Sequence, residues 1–288
     1  MRATSEEPGR SALFVNGPGY PGTDEARIDL VTSGFTTVFL WSLHVHEEGD
    51  LYLNERRIVS GGAYDGDADW PAWVNSLKTT VNTRIDRVEL SVGSSGASDW
   101  ENIRDLLGEG GGTGNILYKN FTVLHDLLDV DALSSDDESC YDVASTVAFA
   151  KMAQDIGYRN FTLTPFTEVE YWKDVKGQLG PLVDRVYLQC YSGGSGNDPR
   201  TWQDALGMPV DPGLWCKHGP DCDWDDSPAE VEDRMRQWQE SAGIVGGFLW
   251  SYPDVLACAK PGRKTADYAA AIKDGITRKS EVAAASQR

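Results

Sequence analysis

The chain has 288 residues, with 26 Lys and Arg against 45 Asp and Glu, a net charge of −19 and a pI near 4.5. That sign argues against nucleic acid and anionic membrane surfaces as partners and is compatible with a neutral ligand. Hydrophobic residues make up 40% of the chain, with 10 Trp, so a sizeable core is available, yet no apolar run approaches the length of a membrane span.

Residues 1–10, MRATSEEPGR, are polar and read as a tail. They lack the apolar core of a signal peptide, so the chain as written reads as cytoplasmic, and as secreted only if a leader has been trimmed. Residues 12–20 (ALFVNGPGY) form a first strand that ends in a Gly/Pro turn, and 24–32 have helical spacing. Residues 34–45 (GFTTVFLWSLHV) are a near-continuous apolar, β-branched run, as expected of a strand buried on both faces. LYLN (51–54) and RIVS (57–60) flank a two-residue turn and predict a small hairpin.

A short amphipathic helix is predicted over 69–78, a strand over 87–93 and a helix over 98–107. The GEGGGTG loop (108–114) has no GK[ST] ending and no strand before it, so it is not a phosphate loop, and no cofactor is expected. A fourth strand covers 130–138, followed by a strong helix over 142–156 with Gly157 as its stop. Strands are then predicted at 160–166, 185–191, 209–215 and 246–252, with helices over 228–242 and 265–273, the latter capped by Thr265. Eight strands that mostly alternate with helices imply a parallel sheet, and their number and the chain length match an α/β (β/α)8 TIM barrel over residues 11–275, with a second tail over 276–288.

The stretch 130–138, VDALSSDDE, carries the chemistry. On an extended strand Ser134, Asp136 and Glu138 share one face, and carboxylates aimed together raise the pKa of one of them. The structural alternative is a solvated strand-to-helix turn, with Ser and Asp capping the helix that begins near Tyr141. In a TIM barrel the strand ends form the site, which brings Gln189, Tyr191 and Trp250 to the same mouth.

With these residues in view, the chain resembles glycoside hydrolase family 18, the chitinase and endo-β-N-acetylglucosaminidase barrels. The family's D-x-x-D-x-D-x-E on the fourth strand appears here as Asp131-Ala-Leu-Ser134-Ser-Asp136-Asp-Glu138, with Ser134 in place of the middle Asp. Its Q-x-Y setting on the sixth strand appears as Gln189-Cys-Tyr191, and its final-strand Trp as Trp250 in GGFLW. The resemblance implies a retaining hydrolase of N-acetylglucosamine-containing glycans, in which the substrate's acetamide oxygen is the nucleophile. Glu138 would be the acid, with Asp136 and Tyr191 assisting, and Asp131, Ser134, Gln189 and Trp250 would contribute to substrate binding. Ser134 cannot carry the second charge of the family's Asp pair. That change leaves two alternatives: a glycan-binding pseudoenzyme, or an intracellular biosynthetic enzyme (a cyclase or isomerase) that reuses the Glu138 acid.

Other features have simpler readings. His44 and His46 face one way on a strand, but only His125 and His218 remain elsewhere, so the pair is read as cleft-lining or solvated and no metal is expected. The acidic run Asp221, Asp223, Asp225 and Asp226 is read as a loop that caps the helix after Ser227-Pro228. Trp41, Trp172, Trp202, Trp215 and Trp250 fall near predicted strand ends, where they could stack on sugar faces or fill core. Five Cys at irregular spacing give no disulfide framework, although Cys216 and Cys222 could pair across a loop in an oxidising compartment.

Overall fold

A computed structural model describes residues 9–108, 111–217, 222 and 226–277. In chain order, β1 (Arg10–Val15), α1 (Asp24–Ser33) and β2 (Thr37–Val45) lead into an inserted hairpin of β3 (Leu51–Leu53), β4 (Arg56–Ser60) and β5 (Ala63–Tyr64). Next come α2 (Trp70–Thr79), β6 (Arg87–Val92), α3 (Asp99–Leu107), α4 (Ile116–Leu127), β7 (Ala132–Ser135) and α5 (Val143–Ile156). The second half runs β8 (Asn160–Leu163), α6 (Val169–Leu179), β9 (Val183–Gln189), α7 (Pro199–Leu206) and β10 (Asp211–Trp215). It ends with α8 (Pro228–Ala242), β11 (Gly246–Trp250), α9 (Tyr252–Ala257) and α10 (Thr265–Thr277).

Strands β1, β2, β6, β7, β8, β9, β10 and β11 pair in parallel in that order, and β11 returns to β1 with Gly246 opposite Arg10. The sheet therefore closes into an eight-stranded barrel surrounded by helices, the (β/α)8 fold that the alternation predicts. The hairpin adds to β2 in antiparallel register, with Leu43 opposite Leu53.

Closure sends alternate residues of each strand inward. In β6, Val88, Leu90 and Val92 join the main hydrophobic core, whereas Glu89 crosses the interior to Thr162 and Tyr187. The interior is filled in levels. Near the strand starts, Arg10 grips Asp211 in two hydrogen bonds of 3.0 and 2.8 Å, and Arg87 grips Asp184 in two of 2.7 and 2.9 Å. Arg87 also pairs with the fully buried Glu89 at 2.5 Å. Above this ionic level, Ala12, Phe14, Phe39, Tyr187, Tyr191 and Phe248 form a separate aromatic plug, with Phe14 stacked on Phe39 at 4.2 Å. Gly213 makes room for it, since a Cβ there would stand 2.1 Å from the Phe248 ring.

The predicted strands and helices are present with shifted ends, and four helices (α4, α6, α7 and α9) occupy stretches where none was predicted. The helix over 228–242 begins at a capping box formed by Ser227 and Glu230. Three expectations are corrected. Cys222 pairs with Cys258, not Cys216, which is a buried thiol whose Sγ lies 3.8 Å from the Ser251 carbonyl. Thr265 is the first residue of α10 and its hydroxyl donates to Asp29 at 2.5 Å, so it does not serve as the cap. Trp172 and Trp202 lie buried on α6 and α7 rather than at strand ends, where helix packing takes their whole rings. Residues 1–8 and 278–288, where the tails were expected to lie in large part, fall outside the described residues.

Glu89, fully buried, accepts from Arg87, Thr162 and Tyr187. Glu89→Ala should therefore lower stability by about 3 kcal/mol, because it leaves a buried guanidinium short of its partner. The change should appear as a lower urea midpoint at unchanged slope; an unshifted midpoint would contradict it.

Candidate active site

β7 ends at Ser135, and the residues that follow send their carboxyl groups to different places. Asp136 continues the ladder, its N–H donating to the Val92 carbonyl at 2.9 Å, and its side chain turns into the barrel mouth. Asp137 turns outward, where it accepts from the backbone N–H groups of Ser139, Cys140 and Tyr141 at 3.2, 2.9 and 2.9 Å and from the Tyr171 hydroxyl at 3.0 Å. Asp142 then caps α5 by accepting from the Ser145 N–H at 2.8 Å. The capping alternative thus describes Asp137 and Asp142, while Asp136 and Glu138 both line the cavity.

The two inward carboxyl groups are held by neutral donors. Trp41 Nε1 donates to Asp136 Oδ2 at 3.1 Å, and Gln189 Nε2 lies 3.2 Å from Asp136 Oδ1. The same amide nitrogen is 3.5 Å from Glu138 Oε1 and 3.1 Å from the Thr164 carbonyl, so it bridges both acids and β8. The Ser95 hydroxyl hydrogen-bonds Glu138.

Burial is the largest influence on both acids and pushes their pKa values up, strongly for Asp136, where the neighbouring Glu138 adds to it. Hydrogen-bond chemistry decides which group carries the proton. Each Asp136 oxygen already accepts from an obligate donor, an indole N–H or an amide N–H. Glu138 has only the long Gln189 contact and a serine hydroxyl, which can turn and accept. A proton on Glu138 would therefore disturb fewer hydrogen bonds than one on Asp136. Burial likewise raises the Tyr191 phenol well above its ordinary value, so it stays a neutral donor.

Aromatic rings enclose these groups. The cavity measures about 370 Å³, and Trp250, Trp41, Tyr191, Trp215, Phe14 and Phe166 contribute to its walls. Trp41 meets Trp250 edge to face at 4.7 Å, and Tyr191 lies nearly parallel to Trp250 at 6.3 Å. Trp215 is fixed from behind by donating Nε1 to Asp254 at 2.9 Å.

Of the residues expected to bind substrate, Gln189 and Trp250 line the cavity and two do not. Ser134 faces inward one level lower, fully buried, with its hydroxyl 2.8 Å from Thr164 Oγ1. Asp131 precedes β7 at the opposite end of the barrel, where it accepts from Lys78 Nζ at 3.0 Å and the Val88 N–H at 2.9 Å. It ties α2 and β6 to the start of β7 and lies too far down the strand to meet a ligand at the mouth. Reading the sequence did not single out Thr164, Ser95 or Phe14, all of which line the cavity. Thr162 and Thr164 alternate on β8 and its extension, and that period-two signal could have placed Thr164 inward.

The histidine run is also resolved. His44 Nδ1 lies 2.9 Å from Asp99, and His46 stacks on Tyr52 at 3.9 Å. No group of His, Cys, Asp and Glu among the described residues is arranged to hold a metal ion. Of the acidic run, Asp221, Asp223 and Asp225 lie outside the described residues. No helix among the described residues is long and apolar enough to cross a membrane.

No protein-family model and no curated protein sequence matches the chain. Solved structures do. The chain is similar to the catalytic domain of a family GH18 chitinase from the fern Peteris ryukyuensis, at 15% identity and a TM-score of 0.61, over 91% of this chain and 98% of that one. It is similar to the GH18 chitinase ChiB from the chitin utilization locus of Flavobacterium johnsoniae, at 11% identity and a TM-score of 0.62, over 94% and 95% of the two chains. The chitinase-like agglutinin RobpsCRA from Robinia pseudoacacia matches at 12% identity and a TM-score of 0.60, over 91% and 99%. At these identities the likeness is one of fold.

The raised Glu138 pKa has a sign that can be checked. The folded chain keeps this proton to higher pH than the unfolded chain, so stability is lost as pH rises from about 4.3 through the folded midpoint. Glu138→Gln removes that loss. The variant should match wild type below about pH 4 and melt at a higher temperature than wild type at about pH 7 and above. Thermal unfolding across that range tests it, and a Tm at neutral pH no higher than wild type's would sink the idea.

Proposed function

We propose that the protein is a retaining glycoside hydrolase that acts on N-acetylglucosamine-containing glycans by substrate-assisted acid catalysis. One observation carries this reading: Asp136 and Glu138 reach a single aromatic-walled cavity and share the Gln189 amide, with no Lys or Arg among the described residues that line it. Such walls suit the apolar faces of pyranose rings, and the volume falls within the range of about 300–1,000 Å³ usual for small-ligand sites. The GH18 chitinase neighbours support a glycan ligand at the level of fold.

In this mechanism the scissile sugar lies against Trp250 with its glycosidic oxygen at Glu138. The acetamide carbonyl oxygen attacks the anomeric carbon as the bond to the leaving oxygen breaks, and Glu138 gives that oxygen its proton. Asp136, positioned by Trp41 and Gln189, accepts the acetamide N–H as its carboxylate and stabilises the positive charge that spreads over the new ring. The Tyr191 hydroxyl donates to the acetamide oxygen and aligns it. Water then opens the ring at the anomeric carbon and passes its proton to the Glu138 carboxylate. Two inversions leave the configuration retained.

Ser134 and the agglutinin neighbour favour one second reading, a glycan-binding barrel without turnover. Incubation with N-acetylglucosamine oligomers and an N-glycan, read by mass spectrometry and calorimetry, separates the two. Wild type should cleave, Glu138→Gln should lose about 10²–10⁴-fold in kcat, and Tyr191→Phe should lose less, about tenfold. Binding without cleavage by wild type would support the lectin reading, and neither binding nor cleavage would remove glycans from consideration.

A further inference from the structure

The inserted hairpin interrupts the strand–helix alternation of the barrel, and its turn reaches the carboxylates through hydrogen bonds. We propose that the β3–β4 hairpin is a positioning arm for Asp136, which acts through Asn54 and Trp41. This rests on Asp136 being a working carboxylate of the proposed hydrolase.

The chain of contacts is continuous. Asn54 occupies the tight turn between β3 and β4 with φ +54°, a left-handed conformation that Asn tolerates better than most residues. From there its N–H donates to the Ser42 carbonyl at 2.8 Å and its Nδ2 donates to the Trp41 carbonyl at 3.2 Å. One turn residue thus holds two consecutive carbonyls at the point where β2 enters the barrel mouth. Trp41 carries the constraint inward, with Nε1 on Asp136 Oδ2 at 3.1 Å. Ser42 carries it sideways, with its hydroxyl on the Gly93 carbonyl at 2.5 Å. Gly93 backs directly on the acid's own backbone, since a Cβ there would stand 2.5 Å from the Asp136 carbonyl oxygen.

The arm is anchored firmly enough to transmit a position. Leu51, Leu53, Ile58 and Val59 are buried in the main core. Asn120 of α4, itself fully buried, pins both of the hairpin's other turns: it donates Nδ2 to the Gly49 carbonyl and accepts from the Gly62 N–H, each at 2.7 Å. A hairpin that served only to cover the barrel would not need its turn side chain on a carbonyl of the residue that bonds the acid.

Indole fixation matters because the carboxyl groups around Asp136 all favour its neutral form: Glu138 and Asp137 from its own loop and Asp99 from α3. Tyr191 beyond β9 also faces it, and burial keeps that phenol neutral. Among the groups acting on it, the Trp41 N–H favours the carboxylate.

The test uses Asn54→Gly, Trp41→Phe and the double variant. Asn54→Gly retains the left-handed backbone and the N–H bond to Ser42 and removes only the side-chain amide. Asn54→Asp, which turns a donor into an acceptor facing the Trp41 carbonyl, serves as a second variant if the glycine protein does not fold. The Asp136 carboxyl is followed by 13C NMR titration, assigned with Asp136→Asn, alongside kcat/KM on N-acetylglucosamine oligomers. Asn54→Gly should lower kcat/KM about fivefold, the equivalent of one hydrogen bond, mainly in kcat. It should also move the Asp136 titration upward, and Trp41→Phe should move both further. The double variant should be no worse than Trp41→Phe alone, because the Asn54 side chain acts only through that residue and the N–H bond to Ser42 is kept. Multiplicative losses, or an Asp136 titration unmoved in both Asn54 variants, would overturn the proposal. If wild type shows no turnover, the functional reading fails by itself, and the titration still decides whether the arm holds Asp136.

Discussion

Closure of the sheet on itself is the constraint on which everything else depends. Once β11 hydrogen-bonds β1, alternate residues of each barrel strand must be accommodated inside a narrow cylinder. The chain meets this with ion pairs near the strand starts, aromatic rings in the middle and carboxyl groups at the mouth. The order follows from dielectric environment. Charges deep inside are paired and hydrogen-bonded: Arg10 with Asp211 and Arg87 with Asp184 bidentately, and Glu89 with Arg87 and two hydroxyls. The aromatic plug then seals the interior from below, so groups at the mouth sit over an apolar floor rather than over water.

At the mouth the acids are held by neutral donors and not by cations, and that choice sets their character. A guanidinium beside Asp136 or Glu138 would pin both as anions. An indole N–H and a shared amide instead restrain position while leaving proton affinity high. The two acids can then differ by small changes in hydrogen bonding, which is how identical chemical groups take separate roles in one site.

Much of this was legible in the sequence because its signals are periodic. The β-branched run around Val38 and the alternation after Val130 announce buried strands, and Gly157 marks the end of α5 as expected. Polar residues just past strand ends point to the mouth, and Asp136, Glu138, Gln189, Tyr191 and Trp250 all line it. What escaped depends on distance along the strand or on three dimensions. Asp131 belongs to the same motif as Glu138 but stands at the other end of β7, because a strand extends about 3.3 Å per residue. Ser134 has the inward phase yet lies a level too deep. Cys222 finds Cys258, distant in sequence, rather than nearby Cys216, since pairing follows the approach of α9 and not sequence separation. The contact of Asn54 with the Trp41 carbonyl belongs to a turn geometry that no residue pattern announced.

The double use of Asn120 has a consequence for how the protein can be made. Asn120-Phe121-Thr122 has the form of an N-glycosylation acceptor, a modification placed on the side-chain amide nitrogen. That nitrogen is the one bonded to the Gly49 carbonyl, in a position closed to solvent. A glycan attached there before folding would occupy the place of the hairpin turns, which could not then seat against α4. In a eukaryotic secretory host, properly folded molecules would therefore be those that the oligosaccharide transfer machinery had passed over at this site. A bacterial host imposes no such sorting.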